Sequence, residues 1–202
     1  MNSLNSDNSK IAENKQLKKE NLLSSAYNLF IRKGVQFTSI DEITENAGVA
    51  KGTFYLYFED KWDIYEKVII ERSHLLFEEA LIYVNNKNIK DFKDRIINII
   101  DYIIESFIKN KELLKFIGKN LSLGIYNKAL LDEYDNSYTD IKEMLETEFK
   151  EYNKKEKYVK EKLFMVIELT SSTIYDSVLN DYPISINDYK EILFNEIKSI
   201  IK

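Results

Sequence analysis

Apolar side chains recur along this chain every three or four residues, which is the period of an amphipathic helix. One clear stripe near the N-terminus is formed by Leu22, Leu23, Ala26, Leu29 and Phe30. A second, longer stripe is formed by Phe92, Ile96, Ile99, Ile100, Ile103, Ile104 and Phe107. We find no convincing alternation of apolar and polar residues, as strands would require, and no internal repeat. The pattern therefore predicts an all-α protein.

Two short helices joined by a tight turn are predicted between residues 38 and 58. Thr38 or Ser39 can cap the first helix through a side-chain oxygen, and Gly48 allows the turn after it. The second helix is expected from about residue 50 to 58, with Phe54 and Phe58 four residues apart on its buried side. This is the layout of a helix-turn-helix, whose second helix enters a groove of DNA.

The other predicted helices are longer, since the chain has one proline and five glycines in 202 residues. Their approximate ranges are 14–33, 61–84, 91–109, 111–119, 128–152, 158–179 and 186–201. Residues 1–13 are polar, lack the apolar core of a secretory signal, and are expected to form a disordered tail. No apolar run approaches the roughly 18 residues that a membrane span needs. We expect a cytoplasmic protein with no membrane partner.

The composition leaves little catalytic machinery. There is no cysteine, which excludes disulfides, thiolate zinc sites and a cysteine nucleophile. The single histidine, His74, follows Glu71 at the spacing of a di-iron helix, but the sequence holds no second copy of that motif. No Gly-rich phosphate loop follows a strand. We expect no enzymatic activity, no cofactor and no bound metal.

Charge places a condition on any DNA binding. The formal net charge is −5, yet basic and acidic residues are equal in number up to residue 61, so the whole deficit lies beyond that position. The N-terminal part is therefore neutral rather than basic. Its affinity for DNA would have to come from a few well-placed donors and from duplication in a dimer.

The chain from about residue 15 to 72 resembles the TetR family of transcriptional regulators. The resemblance rests on the run AGVAKGTFYLYFEDK, residues 47–61, and on Leu22, Ala26, Phe30, Gly34, Thr38 and Ile43 before it. It implies a DNA-binding domain at 14–61, with the helix-turn-helix at about 39–58, and a helical regulatory and dimerisation domain at 62–202. Ala50 departs from the family, which often has serine or threonine there to cap the recognition helix.

The resemblance also implies which residues contact DNA. Those expected to hold the DNA backbone are Thr38 or Ser39, Tyr55, Tyr57 and Lys61, and those expected nearest the bases are Lys51, Gly52 and Thr53. The chemistry agrees, because Lys51 can reach phosphate or guanine and Gly52 allows close approach of the helix. Thr53 suits a phosphate or a thymine methyl group. Lys61 opens a helix whose first N–H groups favour an anion.

For the regulatory part, the resemblance implies a ligand pocket and a homodimer formed by the last two long helices, about 158–179 and 186–201. Aromatic walls with phenolic hydroxyls suit a flat or greasy ligand, and the chain has 14 tyrosines. Acidic residues in apolar helices, such as Glu105 and Glu168, either face solvent or meet a cationic ligand. The candidate ligand-binding residues are Tyr102, Tyr126, Tyr134, Tyr138, Glu168 and Tyr175.

Two functions remain open at this point. The first is a homodimeric repressor released from a palindromic double-stranded operator by a small hydrophobic or aromatic effector. The second is a DNA-binding co-regulator or nucleoid-associated factor controlled by a protein partner. His74, on the helix that joins the two parts, is either a packing residue or part of a switch, and Trp62 is expected in the core.

Overall fold

The computed structural model describes the backbone of residues 2–126 and 141–202, and the side chains of residues 13–124 and 143–202. Every regular element in these ranges is a helix, which confirms the predicted all-α class. The chain divides into two compact units, Met1–Val68 and Ile69–Lys202.

The first unit contains three helices and the start of a fourth: α1 (Asn2–Lys33), α2 (Ile40–Ala47), α3 (Lys51–Phe54) and α4 (Lys61–Asn86). The helix α1 begins at Asn2, so the segment expected to be a disordered tail is helical, and the expected start near residue 14 is wrong. The physical reason is that no glycine or proline occurs before Gly34, and polar residues alone do not end a helix. Gly34 then ends the helix in a left-handed conformation, with φ at 86°.

The core of the first unit is built from the predicted apolar stripe of α1. All five residues of that stripe are buried, together with Ile43 of α2 and Ile64 of α4. The Ser25 hydroxyl is also buried and donates to the carbonyl of Ile43 at 2.8 Å. A buried polar group that finds a partner avoids its desolvation cost, so this bond fixes α2 against α1.

Trp62, expected in the core, is instead 53% exposed. Ile64, two residues further along α4, is fully buried. Two residues turn a helix by about 200°, so the side chain two positions before Ile64 must point outward. The amphipathic phase of α4 therefore corrects the expectation for Trp62.

In its described residues, the second unit contains the rest of α4 and six further helices. These are α5 (Phe92–Lys109), α6 (Lys111–Ile117), α7 (Leu123–Tyr126), α8 (Ile141–Tyr152), α9 (Val159–Asn180) and α10 (Ile186–Ile200), with a 3₁₀ turn at Gly118–Asn120. All seven apolar residues of the predicted α5 stripe are buried. The first part of the helix predicted at 128–152 lies outside the described residues.

Ion pairs tie distant helices of the second unit together. Arg95 of α5 holds both carboxylate oxygens of Glu148 on α8, at 3.0 and 3.1 Å. Lys190 of α10 donates to Asp101, at 2.6 Å, and to Glu105, both on α5. Glu105 is thus paired with a lysine of the chain itself, which takes the place that a cationic ligand would need.

His74 is 1% exposed, and its Nδ1 lies 3.7 Å from the carboxylate of Glu78, one turn further along α4. Its side chain therefore packs inside the unit. Among the described residues, no helix is long and apolar enough to cross a membrane.

Candidate nucleic-acid interface

The helix α2 begins with a complete capping box. The backbone N–H of Glu42 donates to the Ser39 hydroxyl at 3.3 Å, and the Glu42 carboxylate accepts from the backbone N–H of Ser39 at 2.9 Å. Ser39 is therefore the N-cap, as one of the two predicted positions. Gly48 ends the helix in a left-handed conformation, with φ at 69°. These two signals position the next helix.

Glu42 also forms an ion pair with Lys33 at the end of α1. This hydrogen bond from Lys33, followed by those from Ser39, lowers the pKa of the Glu42 carboxyl from 4.5 to about 2. The carboxylate is therefore held in its charged form, where it joins the end of α1 to the start of α2.

The third helix is shorter than predicted. The segment Lys51–Phe54 is α-helical, and the chain then continues in turns, with Leu56 N–H bonded to Thr53 O at 3.3 Å. Its N-cap, Ala50, makes no side-chain hydrogen bond, because alanine has no hydrogen-bonding group in its side chain. Phe54 and Phe58 are buried with ring centroids 5.4 Å apart, which confirms the predicted inner side.

Four residues form the exposed face of this segment: Lys51, Gly52, Tyr55 and Leu56. Two of them lie in α3 and two in the turn that follows it, and we refer to the four together as the exposed face of α3. Tyr55 is 53% and Leu56 75% exposed, whereas Thr53 and Tyr57 are half-buried. Sequence reasoning missed Leu56 because it has no donor, although its position four residues after Gly52 could have revealed it.

The side chain of Lys51 is already paired. Its Nζ lies 2.6 Å from Oδ1 of Asp41 on α2, and both side chains are more than half exposed. The hydrogen bond to Asp41 raises the pKa of Lys51. A phosphate or a base that binds Lys51 would have to replace this carboxylate.

Thr38 is placed differently from its expected role. It is 2% exposed, and its hydroxyl donates to the carbonyl of Gly34 at 2.9 Å. This bond closes the turn between α1 and α2, so the hydroxyl is not presented for a phosphate contact in this conformation. The Ser39 hydroxyl, although exposed, belongs to the capping box.

Tyr57 and Lys61 also make contacts within the chain. The Tyr57 hydroxyl donates to the carbonyl of Lys15 at 3.0 Å, and burial raises the pKa of this phenol. The Lys61 ammonium donates to the carbonyl of Gln36 at 3.2 Å. Both side chains keep part of their surface exposed, so they border the exposed face of α3 rather than extend from it.

The start of α4 is occupied by Asp60. Its carboxylate accepts from the N–H groups of Trp62, at 2.7 Å, and Asp63, at 2.9 Å. A side-chain carboxylate therefore fills the position at which we expected this helix to favour an external anion.

Comparison with known proteins agrees with the geometry of this unit. Residues 22–68 match the model of the bacterial regulatory proteins of the tetR family. Over 171 residues the chain is 28% identical to an HTH-type transcriptional regulator of Staphylococcus aureus (strain USA300), covering 84% of this chain and 86% of that protein. Residues 22–68 are therefore a DNA-binding domain of the TetR family. The chain is a DNA-binding transcriptional regulator.

The similarity of fold to solved TetR-family regulators extends over most of the chain. A TetR transcriptional regulator from Rhodococcus sp. RHA1 superimposes with a TM-score of 0.65 at 14% identity, covering 93% of this chain and 97% of that chain. The regulator FadR from Bacillus subtilis, solved in complex with stearoyl-CoA, gives a TM-score of 0.60 at 20% identity, covering 91% and 99%. At these identities the likeness concerns the fold alone.

The predicted ligand-binding residues are only partly described. Tyr102 of α5 donates to Glu79 of α4 at 3.4 Å, and the Lys119 ammonium lies 4.6 Å from the ring centre of Tyr175 on α9. Glu168 is half-buried on α9. Tyr134 and Tyr138 lie outside the described residues, and Tyr126 is described in its backbone only.

A groove of about 400 Å³ lies on the second unit, with Phe92, Arg95, Glu148 and Tyr152 among its lining residues. The candidates whose side chains are described, Tyr102, Glu168 and Tyr175, do not line this groove. In the described part of the chain, no group of three or more acidic or histidine side chains is arranged to hold a metal ion.

Proposed function

We propose that this TetR-family protein is a homodimeric repressor, which leaves a palindromic operator when a small hydrophobic ligand binds its second unit. The observation that carries the proposal is Gly52, on the exposed face of α3. Glycine costs a helix about 1 kcal/mol relative to alanine. Its φ is not positive, and within the described chain a Cβ at Gly52 would meet no packing atom within 4 Å.

The fold itself therefore gives no reason for glycine at this position. Close approach of another molecule does give one, because a helix without a side chain can come near the edge of DNA bases. We propose Lys51, Gly52, Thr53 and Tyr55 as the groove-facing contacts, with Tyr57 and Lys61 at the DNA backbone. Ser39 stays a candidate through its exposed position, whereas Thr38 acts by closing the turn.

Apolar residues exposed on the last two helices support the homodimer. Met165 on α9 is 54% exposed and Ile192 on α10 is 51% exposed, and Phe164 is exposed beside Met165. Large apolar side chains grouped on neighbouring surface positions are typical of an interface between proteins. A dimer would also double the few contacts that one neutral DNA-binding unit can make.

For the ligand, we propose a molecule with a long acyl chain or an aromatic body. The FadR regulator with the same fold was solved with stearoyl-CoA, so long-chain acyl-CoA is the first class to test. Tyr102, Glu168 and Tyr175 are the candidates whose side chains are described, and Tyr126, Tyr134 and Tyr138 remain candidates from the sequence.

The experiment has two steps. Operator DNA is selected from a random duplex library with the full chain, and binding is then followed by fluorescence anisotropy while stearoyl-CoA is added. We expect specific binding that the acyl-CoA reverses, because a ligand that prefers one conformation shifts the equilibrium toward it.

Failure to select any sequence at low salt with a folded dimer would contradict the DNA-binding part of the proposal. Selection of an operator that no acyl, aromatic or cationic compound releases would contradict the ligand part alone.

A further inference from the structure

We infer that Leu56 is a specificity-determining residue that reads the methyl group of a thymine in the major groove. The inference rests on the proposed function, because it requires the exposed face of α3 to enter that groove. It concerns a residue with no hydrogen-bonding group, which sequence reasoning about DNA contacts had passed over.

The exposed face of α3 presents more apolar surface than the residue types of a DNA-binding helix would suggest. A single exposed leucine is ordinary on a protein surface. Here, however, Leu56 is 75% exposed directly beside Tyr55, which is 53% exposed. Of the other two positions, Gly52 has no side chain, and Lys51, although more than half exposed, is paired with Asp41.

The chemistry of the groove restricts what Leu56 can contact. Close to a phosphate, leucine would displace water from a charged oxygen and offer no hydrogen bond in return, which is unfavourable. On the base edges of the major groove, most groups are hydrogen-bond donors or acceptors, and the C5 methyl of thymine is the apolar exception. A leucine that enters the groove is therefore best matched by thymine.

Gly52 gives Leu56 the room to reach a base. The two residues are four positions apart in the same short segment, and both are exposed. A Cβ at Gly52 would meet no packing atom of the described chain within 4 Å, so the backbone is open to a close approach by DNA at this point. An exposed Leu56 in the same segment is then able to reach the bases near this point.

The test removes single methyl groups from the DNA. The full chain is used to select an operator, and each thymine is then replaced in turn by deoxyuridine, which keeps every hydrogen-bonding group and lacks only the methyl. For one thymine in each half-site we expect affinity to fall roughly threefold to fivefold, the change expected for one buried methyl group.

Three variants assign that effect. Leu56→Ala removes the apolar contact, Leu56→Met conserves it, and Ile82→Ala truncates another residue that is more than half exposed but lies on α4 in the second unit. We expect the deoxyuridine effect to disappear in Leu56→Ala and to persist in the other two. Because Leu56 is so exposed, its truncation leaves the core intact.

The outcomes separate this inference from the proposed function. An operator whose deoxyuridine effect is the same in Leu56→Ala and in the wild type would assign the methyl contact to another residue, such as Thr53, and overturn the inference. An operator with no deoxyuridine effect at any thymine would also overturn the inference. Failure to select an operator at all would instead overturn the proposed function on which the inference rests.

Discussion

At the scale of the residue, several polar side chains of the helix-turn-helix form hydrogen bonds within the chain. Thr38 bonds Gly34, Tyr57 bonds Lys15, and Lys61 bonds Gln36. Such bonds restrict the side chains that border the exposed face of α3 before DNA arrives. The groups left for DNA are few, so small changes on this face are expected to have specific effects.

Gly52→Ala is expected to stabilise the fold and weaken DNA binding. Alanine should raise the free energy of unfolding by about 0.5–1 kcal/mol, since its methyl group meets no packing atom of the described chain. The same methyl group would hold the helix away from the bases and reduce operator affinity. Urea unfolding and fluorescence anisotropy measure the two effects, and a variant that binds as tightly as the wild type would contradict the role given to Gly52.

Asp41→Asn is expected to tighten DNA binding. The substitution frees Lys51 from its carboxylate partner and removes a negative charge that repels phosphate. The gain should be largest at low salt and shrink as salt rises, because exposed charges are screened. Affinity measured across a salt series tests this.

The matched control is Glu112→Gln, which breaks a similarly exposed pair with Lys115 in the second unit. The two variants remove equal charge. Equal gains in both would show that net charge, and not the freeing of Lys51, determines the effect.

At the scale of the element, the sequence predicted most accurately where apolar periodicity is strong. Every apolar residue of the α5 stripe is buried, and Ser39 and Gly48 bound α2 as expected. The early start of α1 was missed because polar residues carry no periodicity. The contacts of Lys190 with Asp101 and Glu105 join residues that are 89 and 85 positions apart in the chain, and a local pattern cannot predict such contacts.

The candidate site, too, was only partly predictable from the sequence. The residue types of Lys51, Gly52 and Tyr55 predicted an exposed, DNA-facing segment. The burial of Thr38 and the exposure of Leu56 run against their residue types. They depend on how α1, α2 and α3 pack together, which only the structure supplies.

The junction of α1 and α2 should make stability depend on pH. The Glu42 carboxyl has its pKa lowered to about 2 in the folded chain, from an ordinary value of 4.5. Because the pKa is lower in the folded state, the contribution of the Glu42 carboxylate to the free energy of unfolding is complete above about pH 4.5. This contribution is lost as the pH falls toward about 2.

Urea midpoints of the wild type and Glu42→Gln should therefore differ at about pH 6 and converge as the solution is acidified through that window. Glutamine keeps an amide oxygen for the Ser39 N–H but loses the charge that attracts Lys33. Glu45→Gln, on the exposed side of the same helix, is the control for loss of charge alone. A difference between wild type and Glu42→Gln that does not change with pH would contradict this account.

At the scale of the whole molecule, the proposed function depends on joining two copies of a unit that has no net positive charge. Equal numbers of basic and acidic residues up to position 61 give one copy little long-range attraction to DNA. Under the proposed function, the second unit supplies the partner copy and the ligand alters the spacing of the two recognition segments.

Met165→Glu and Ile192→Glu are expected to break the dimer. Each places a charge on an apolar, exposed position of α9 or α10, where association would bury it without a partner. We expect the dimer dissociation constant to rise roughly tenfold or more, with helix content unchanged. Sedimentation velocity measures the association state.

Ile82→Glu, at an equally exposed position on α4, is the control and should leave association unchanged. A dimer that survives both substitutions on α9 and α10 would place the interface elsewhere.

The central claim is that a few DNA contacts from each copy give high affinity only when two copies bind together. It is tested most directly by measuring the affinity of the full chain for its selected palindromic operator and for the corresponding half-site of equal length. The account predicts that two chains bind the palindrome and that the half-site binds at least roughly a hundredfold more weakly. Equal affinity for the two DNAs, or one chain per palindrome, would contradict it.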